Sequence, residues 1–286
     1  MDGFVINILF GLSYGMVLFL LATGLSIVLG LMGVVNLAHG MLFMIGAYAG
    51  VTVGKLTGSF ALAILAAVIS AGLAGLFIER GFLRKLYKRE LDQILVTFGF
   101  IYIITNLHLW IYGPYPRSGI VPSGLSGAIA IGAYSFSFYR LAVIAIGTVA
   151  CIGLFWLQER TRIGAVIRAG MDDPETVYAS GVNLMTINVG AFCFGAMLAG
   201  LAGIIGIPIL GGVTATTGGD IIFVAISVCI VGGVGSIQGA FVGALLIGIV
   251  TSLAQRYYPA TAIYVMYVLM VIVLVLKPSG LLGRRA

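Results

Sequence analysis

From Phe4 to Gly54 the chain is almost unbroken hydrophobic sequence, interrupted once, at Gly33-Val-Val-Asn36-Leu-Ala-His39-Gly40. The run is too long for one membrane span, which needs roughly 20 apolar residues. The break therefore falls where the chain turns or re-enters. Hydrocarbon satisfies neither the Asn36 amide nor the His39 imidazole, and Gly33 and Gly40 are weak helix formers. Irregular polar backbone is tolerated at membrane depth only where protein or a water-filled cavity encloses it. An ionisable residue in that position points to function. The pattern reads as the pathway-forming part of a transporter.

Composition closes off the soluble alternative. Hydrophobic residues make up 61% of the 286 and charged residues 8%, against about 25% charged in a soluble domain. The expected fold is an all-α polytopic membrane protein, a single helical bundle and one permease domain over 1–286, surrounded by lipid. The 42 glycines agree, because membrane helices pack through small residues. The net charge of +6 is segregated into three short stretches, so it signals orientation and not nucleic-acid binding. Cys151, Cys193 and Cys229 form no CxxC and lie in apolar segments, as small buried hydrophobes with no metal or disulfide implied. Asp2 stands where a signal peptide would carry basic residues, so the first run is expected to be an uncleaved span.

Spans are expected near 4–31, 37–54, 59–78, 93–113, 138–157, 187–211, 220–232, 236–255 and 260–276. The seventh and eighth are separated only by Gly232-Gly-Val-Gly235 and would count as two spans or one broken element, giving eight or nine. Lys and Arg gather at 79–92 (Arg80, Arg84, Lys85, Lys88, Arg89), at 158–186 (Arg160, Arg162, Arg168) and in the tail (Lys277, Arg284, Arg285). Basic loops stay cytoplasmic, so nine spans place the N-terminus outside and the C-terminus inside. Segment 114–137 reads as an ordered outward loop.

Several chemistries are excluded. A phosphate-binding loop needs G-x-x-x-x-G-K-[ST]; Gly54-Lys55 has Ala49 and Leu56 at the two positions that matter. The Gly233-Val-Gly235 fragment lacks both a third Gly and a preceding strand. Ser13 sits in a nucleophile-elbow pattern and Ser126 in a Gly-Leu-Ser-Gly stretch, but an elbow needs a strand-to-helix turn and a His later in the chain. Both histidines, His39 and His108, precede Ser126, and Ser13 lies in an apolar helix. No enzyme activity and no cofactor are expected on this chain.

If 36–40 is helical, Asn36, His39 and Gly40 share a face at i, i+3, i+4. That face lines the pathway, or else Asn36 caps the second span while His39 bonds a neighbouring helix. Gly46, Gly50 and Gly54, the pair Gly239 and Gly243, and Ala199 with Gly203 are expected to be helix-packing surfaces. Tyr48 is expected in the core or at the interface, His108 near the outer end of its span, and Asp220 as a helix N-cap. Within 158–186, Asp173 suits an N-cap, Pro174 the first helical position, Glu175 the positive end of the dipole, and Gly181 a helix stop. A compact helix of about two turns follows, a surface that a cytoplasmic partner grips or a mere connection between spans.

With Asn36-Leu-Ala-His39-Gly40 and the 168–183 stretch in hand, the chain resembles the permease subunits of branched-chain amino-acid ABC transporters, more the LivH than the LivM type. The resemblance runs the whole length and includes Gly46-Ala-Tyr48, Gly232 to Gly239 and the closing Lys277 to Gly283. Segment 173–183 is similar to the family's coupling loop, which docks on the ATPase. Met41 stands where relatives often carry a polar residue, and Glu175-Thr-Val where many have Glu-Ala-Ala. The resemblance implies a second permease subunit, homologous or identical, two ATP-binding cassette subunits and an extracytoplasmic solute-binding protein, with ATP on the partner subunits. It also implies a multi-pass protein of the inner membrane that carries branched-chain or related small amino acids inward. A urea or short-amide permease of the same family and a stand-alone secondary carrier are the alternatives. The breaks near 33–40 and 232–239 are candidates for corresponding elements of the two halves.

Overall fold

The computed structural model describes residues 2–33, 36–87, 89–132 and 134–283. Val34 and Val35 of the break, and Lys88, Arg284 and Arg285 of the charge argument, lie outside the described residues. The helices are α1 (Asp2–Met32), α2 (His39–Thr57), α3 (Phe60–Gly81), α4 (Glu90–Tyr112), α5 (Phe138–Arg160), α6 (Arg162–Asp172), α7 (Pro174–Ala179), α8 (Leu184–Leu210), α9 (Thr217–Gly232), α10 (Ile237–Tyr257) and α11 (Ala262–Leu276). Each expected span coincides with one of them. Seven are long and apolar enough to cross a membrane. The apolar helices α9 and α11, of 16 and 15 residues, are shorter, about 24 and 22 Å at the α-helical rise.

The 232–235 glycines do not make one broken element. Gly233 ends α9 at φ 105°, and the Ser236 hydroxyl caps α10 by accepting the Gly239 N–H. The two helices then pack antiparallel, Gly243 against Val228 and Gly239 against Gly232.

The bundle is inverted relative to a soluble one. On α3, Ala63, Ala67 and Ala71 are fully buried, while Leu65, Ile69, Leu73 and Phe77 are exposed. Small residues admit neighbouring backbones and large apolar ones face lipid. Helix α1 is apolar on all sides because protein surrounds it, and 83% of its most apolar window is buried; for α4 the figure is 17%. The expected packing glycines behave accordingly. Gly46 meets Gly200, Gly50 meets Ile204 and Ala63, and Gly203 meets the Phe43 carbonyl.

Three local expectations change. Segment 114–137 contains a small antiparallel hairpin, β1 (Ala128–Ile131) with β2 (Tyr134–Ser137), in an otherwise helical protein. Residues 158–186 hold two helices, because Thr161 accepts the Gly164 N–H and starts α6 before Asp173 starts α7. Asp220 is exposed in the first turn of α9 and is not its N-cap; that position is Thr216, where the Thr214 and Thr217 hydroxyls organise the turn.

The stretches richest in Lys and Arg share one end. Gly170 of α6 abuts Leu31 at the end of α1, and the Leu281 N–H bonds the Val231 carbonyl near the end of α9. Tyr87 lines a cavity with Asn188 of α8 at that same end.

Candidate translocation and coupling sites

Helix α2 begins inside the bundle. His39 Nε2 lies 3.1 Å from the Leu21 carbonyl, which can only accept, so Nε2 carries the proton. Leu21 is eleven residues short of the end of α1, about 16 Å of helix. The Leu37 N–H donates to Thr97 Oγ1, two turns into α4. Residues 36–38 therefore lie inside the protein before α2 starts, surrounded by other helices as irregular backbone at membrane depth must be.

Asn36 is 1% exposed, and among the described residues neither its amide nitrogen nor its carbonyl oxygen has a hydrogen-bond partner. It does not cap α2: the N-cap position is Ala38, with no side-chain bond, and Asn36 contributes only its backbone oxygen, to the His39 N–H. The bond from His39 to a neighbouring helix was one of the two sequence readings; the cap was not realised. Asn36 and His39 are both buried at this internal start, and Gly40 there meets Gly218 of α9 backbone to backbone. A buried amide with four unused bonding positions is costly to a merely structural site.

Toward the other end of α2, Tyr48 is buried with its ring centroid 4.6 Å from Tyr112 and 4.8 Å from His108. His108 is buried in this stack, bonded to the Ile104 carbonyl, and not exposed at an interface. Arg117 lies over Tyr112, and its backbone exchanges two hydrogen bonds with Val213, tying the 114–137 segment to the α8–α9 link.

The second group of predicted residues sits elsewhere. Asp173 Oδ1 accepts the N–H groups of Glu175 and Thr176 at 3.0 and 3.1 Å, and Pro174 occupies the first position of α7. Gly181 follows with φ 80°, a left-handed conformation that favours glycine. Asp173, Pro174, Glu175 and Tyr178 are exposed, and only Val177 turns inward. The fold does not bring α7 to Asn36 directly. It links them through α6, whose Gly170 and Met171 pack on Leu31 and Gly30, within one turn of the break. The 232–235 turn joins the same place, where the Gly235 N–H donates to Ser26 Oγ of α1.

One residue beside α7 escaped the sequence reading. Glu79, in the last turn of α3, is fully buried and accepts a 2.6 Å hydrogen bond from the Tyr87 hydroxyl; its other oxygen has no partner among the described residues. Burial first, and then the carboxylate, push the Tyr87 phenol above its ordinary range. The signal was an acid ending an otherwise apolar span.

Residues 7–276 match the model of the family described as branched-chain amino acid transport system / permease component. The chain belongs to that family. It is 28% identical over 300 residues to the high-affinity branched-chain amino acid transport system permease protein BraD of Pseudomonas aeruginosa, covering 96% of this chain and 94% of the relative. It is equally identical, with the same coverage, to the permease protein LivH of Escherichia coli K12. A probable LivH of Methanocaldococcus jannaschii is also 28% identical, over 94% of this chain and 90% of the relative. No solved structure matches the chain.

Proposed function

We propose that the chain is one permease domain of an ABC importer, passing branched-chain or related small amino acids inward across the inner membrane. The observation that carries this is the family match from residue 7 to 276, joined to an exposed, fully capped α7 on the end with most basic residues. That end is cytoplasmic in this reading, with the N-terminus outside. Separate ATP-binding cassette subunits bind and hydrolyse ATP, a second permease copy or homologue completes the conduit, and an extracytoplasmic binding protein delivers solute.

The contacts support a mechanism. Closure of the ATPase subunits displaces α7, and α6 carries the displacement to the last turn of α1. The break beyond it re-aims the internal start of α2, with Asn36, His39 and Gly40, and switches the side to which the pathway opens. Asn36 then has alternative partners in the two states, which accounts for an amide left unpaired in one of them.

The test is reconstitution with the ATPase subunits and binding protein encoded alongside this chain. ATP-dependent leucine uptake is expected. Accumulation of solute by this chain alone under an ion gradient would make it a secondary carrier instead.

A further inference from the structure

At the end of the bundle opposite α6 and α7, where α1 and α5 begin and α8 and α10 finish, lies a cavity of about 420 Å³. Two of its lining side chains are arginines. Arg140, in the first turn of α5, is half-buried; its Nη1 donates to Ser13 Oγ at 2.9 Å and its guanidinium lies over the Phe10 ring at 4.7 Å. Arg256, at the end of α10, donates to the Tyr134 hydroxyl. Among the described side chains neither arginine has a carboxylate partner; the ion pairs are Arg89 with Asp92 and Arg168 with Glu159.

A guanidinium drawn partly out of water without a counter-ion costs stability. Arg140 has five N–H donors and spends one on Ser13. Asn7 uses its amide N–H₂ on the Gly3 carbonyl, leaving its oxygen as an acceptor. Phe10, Ile209 and Leu210 present apolar surface, and Tyr14, Ser252 and Gln255 complete the lining. A cationic fork and aliphatic side chains lining one cavity suit a small amphiphile with a carboxylate head, since the guanidinium fork matches a carboxylate bidentately.

The geometry points to this cavity as a receiving site for a small aliphatic carboxylate: the α-carboxylate of an amino acid on Arg140, its side chain against Ile209 and Leu210. This rests on the importer reading above and sharpens it, because urea or a neutral amide has nothing for Arg140 to pair with. With no described acid in the wall, the carboxylate matters more than the ammonium, which finds only neutral oxygens such as those of Asn7, Ser252 and Gln255.

The experiment uses the complete permease–ATPase complex in nanodiscs, without binding protein, and saturation-transfer NMR with L-leucine, 4-methylpentanoate and leucinamide. Leucine and 4-methylpentanoate methyls are expected to receive saturation and leucinamide methyls not. Arg140→Gln and the cavity-filling Leu210→Trp are expected to weaken binding about tenfold or more, as loss of a charge-assisted hydrogen bond or of the apolar seat requires, with Arg140→Lys recovering part. In proteoliposomes with binding protein, leucine uptake falls in parallel while docking of the loaded binding protein is unchanged. Unaltered saturation and uptake in both Arg140→Gln and Leu210→Trp would overturn the assignment. So would lost docking in Arg140→Gln with saturation unchanged, which would give the carboxylate to an acidic side chain of the docked protein. A wild-type complex that imports no leucine yet still saturates 4-methylpentanoate would instead indict the transport reading.

Discussion

Gly40 of α2 and Gly218 of α9 lie backbone against backbone: a Cβ on Gly40 would strike the Gly218 carbonyl, and one on Gly218 would lie 2.7 Å from the Gly40 carbonyl. Neither neighbour is the end of a flexible side chain, so neither gives way. Gly40→Ala is expected to cost at least about 1–3 kcal/mol through overpacking, lowering the unfolding temperature in detergent and the yield of monodisperse protein. Gly99→Ala is the matched control: no atom lies within 4 Å of its added Cβ, and removing a helical glycine gains roughly 0.5–1 kcal/mol. Equal thermal stability in the two variants would mean that α2 and α9 do not meet as described.

Legibility from sequence divides along the reach of the forces involved. The nine apolar helices follow from runs of residues that exclude water, and the caps of α7 follow from Asp173, Pro174 and Gly181, whose partners lie within a few positions of them. What lay beyond reach depends on remote partners. That α2 starts inside the bundle is set by Leu21 and Thr97, 18 and 60 residues from the groups they bond. Arg140 meets Ser13 across 127 residues, and no periodicity announces it. Asp220 was misassigned for a local reason, since three nearby threonines supply the turn at Thr216 without it.

The cap of α7 carries a pH dependence with a definite sign. The Thr176 hydroxyl, then the N–H groups of Thr176 and Glu175, hold the Asp173 carboxyl below its usual range. A depressed folded pKa stabilises fully above the unfolded value of about 3.9 and loses that stabilisation as pH falls through the folded one. Amide exchange across 174–179, corrected for intrinsic rate, is therefore expected to be flat from pH 8 to pH 5 and to lose protection only at more acid pH. Asp173→Ala should lack the protection at every pH and reduce ATP-driven uptake while basal ATP hydrolysis persists. Protection lost near pH 6 would show that another group governs the segment.

Glu79 and Tyr87 form a pair whose halves are not equivalent. Tyr87→Phe leaves a buried carboxylate without its hydroxyl donor, and Glu79→Leu leaves the hydroxyl without its acceptor. Each single change is expected to destabilise by about 1–3 kcal/mol. The double variant should recover part of the loss, giving a coupling energy of at least about 0.5 kcal/mol. The cycle is read by thermal unfolding in one detergent, and strict additivity would show that the 2.6 Å bond contributes nothing.

Asn36 separates stability from function most sharply. Its amide is buried with neither end bonded among the described residues, so replacing it by an apolar residue of similar size removes an unsatisfied group instead of breaking a bond. Asn36→Leu is expected to stabilise the protein by roughly 1–3 kcal/mol while lowering ATP-dependent uptake severely, because an apolar side chain no longer finds the polar partners that the alternate state supplies. Asn36→Asp, equally small but charged, should destabilise through desolvation. Stability tracks packing in the resting state and uptake tracks the passage between states, so opposite signs in one variant locate Asn36 in the moving part of the pathway. Unchanged uptake by a stabilised Asn36→Leu transporter would remove this residue from the mechanism and leave it as a packing defect.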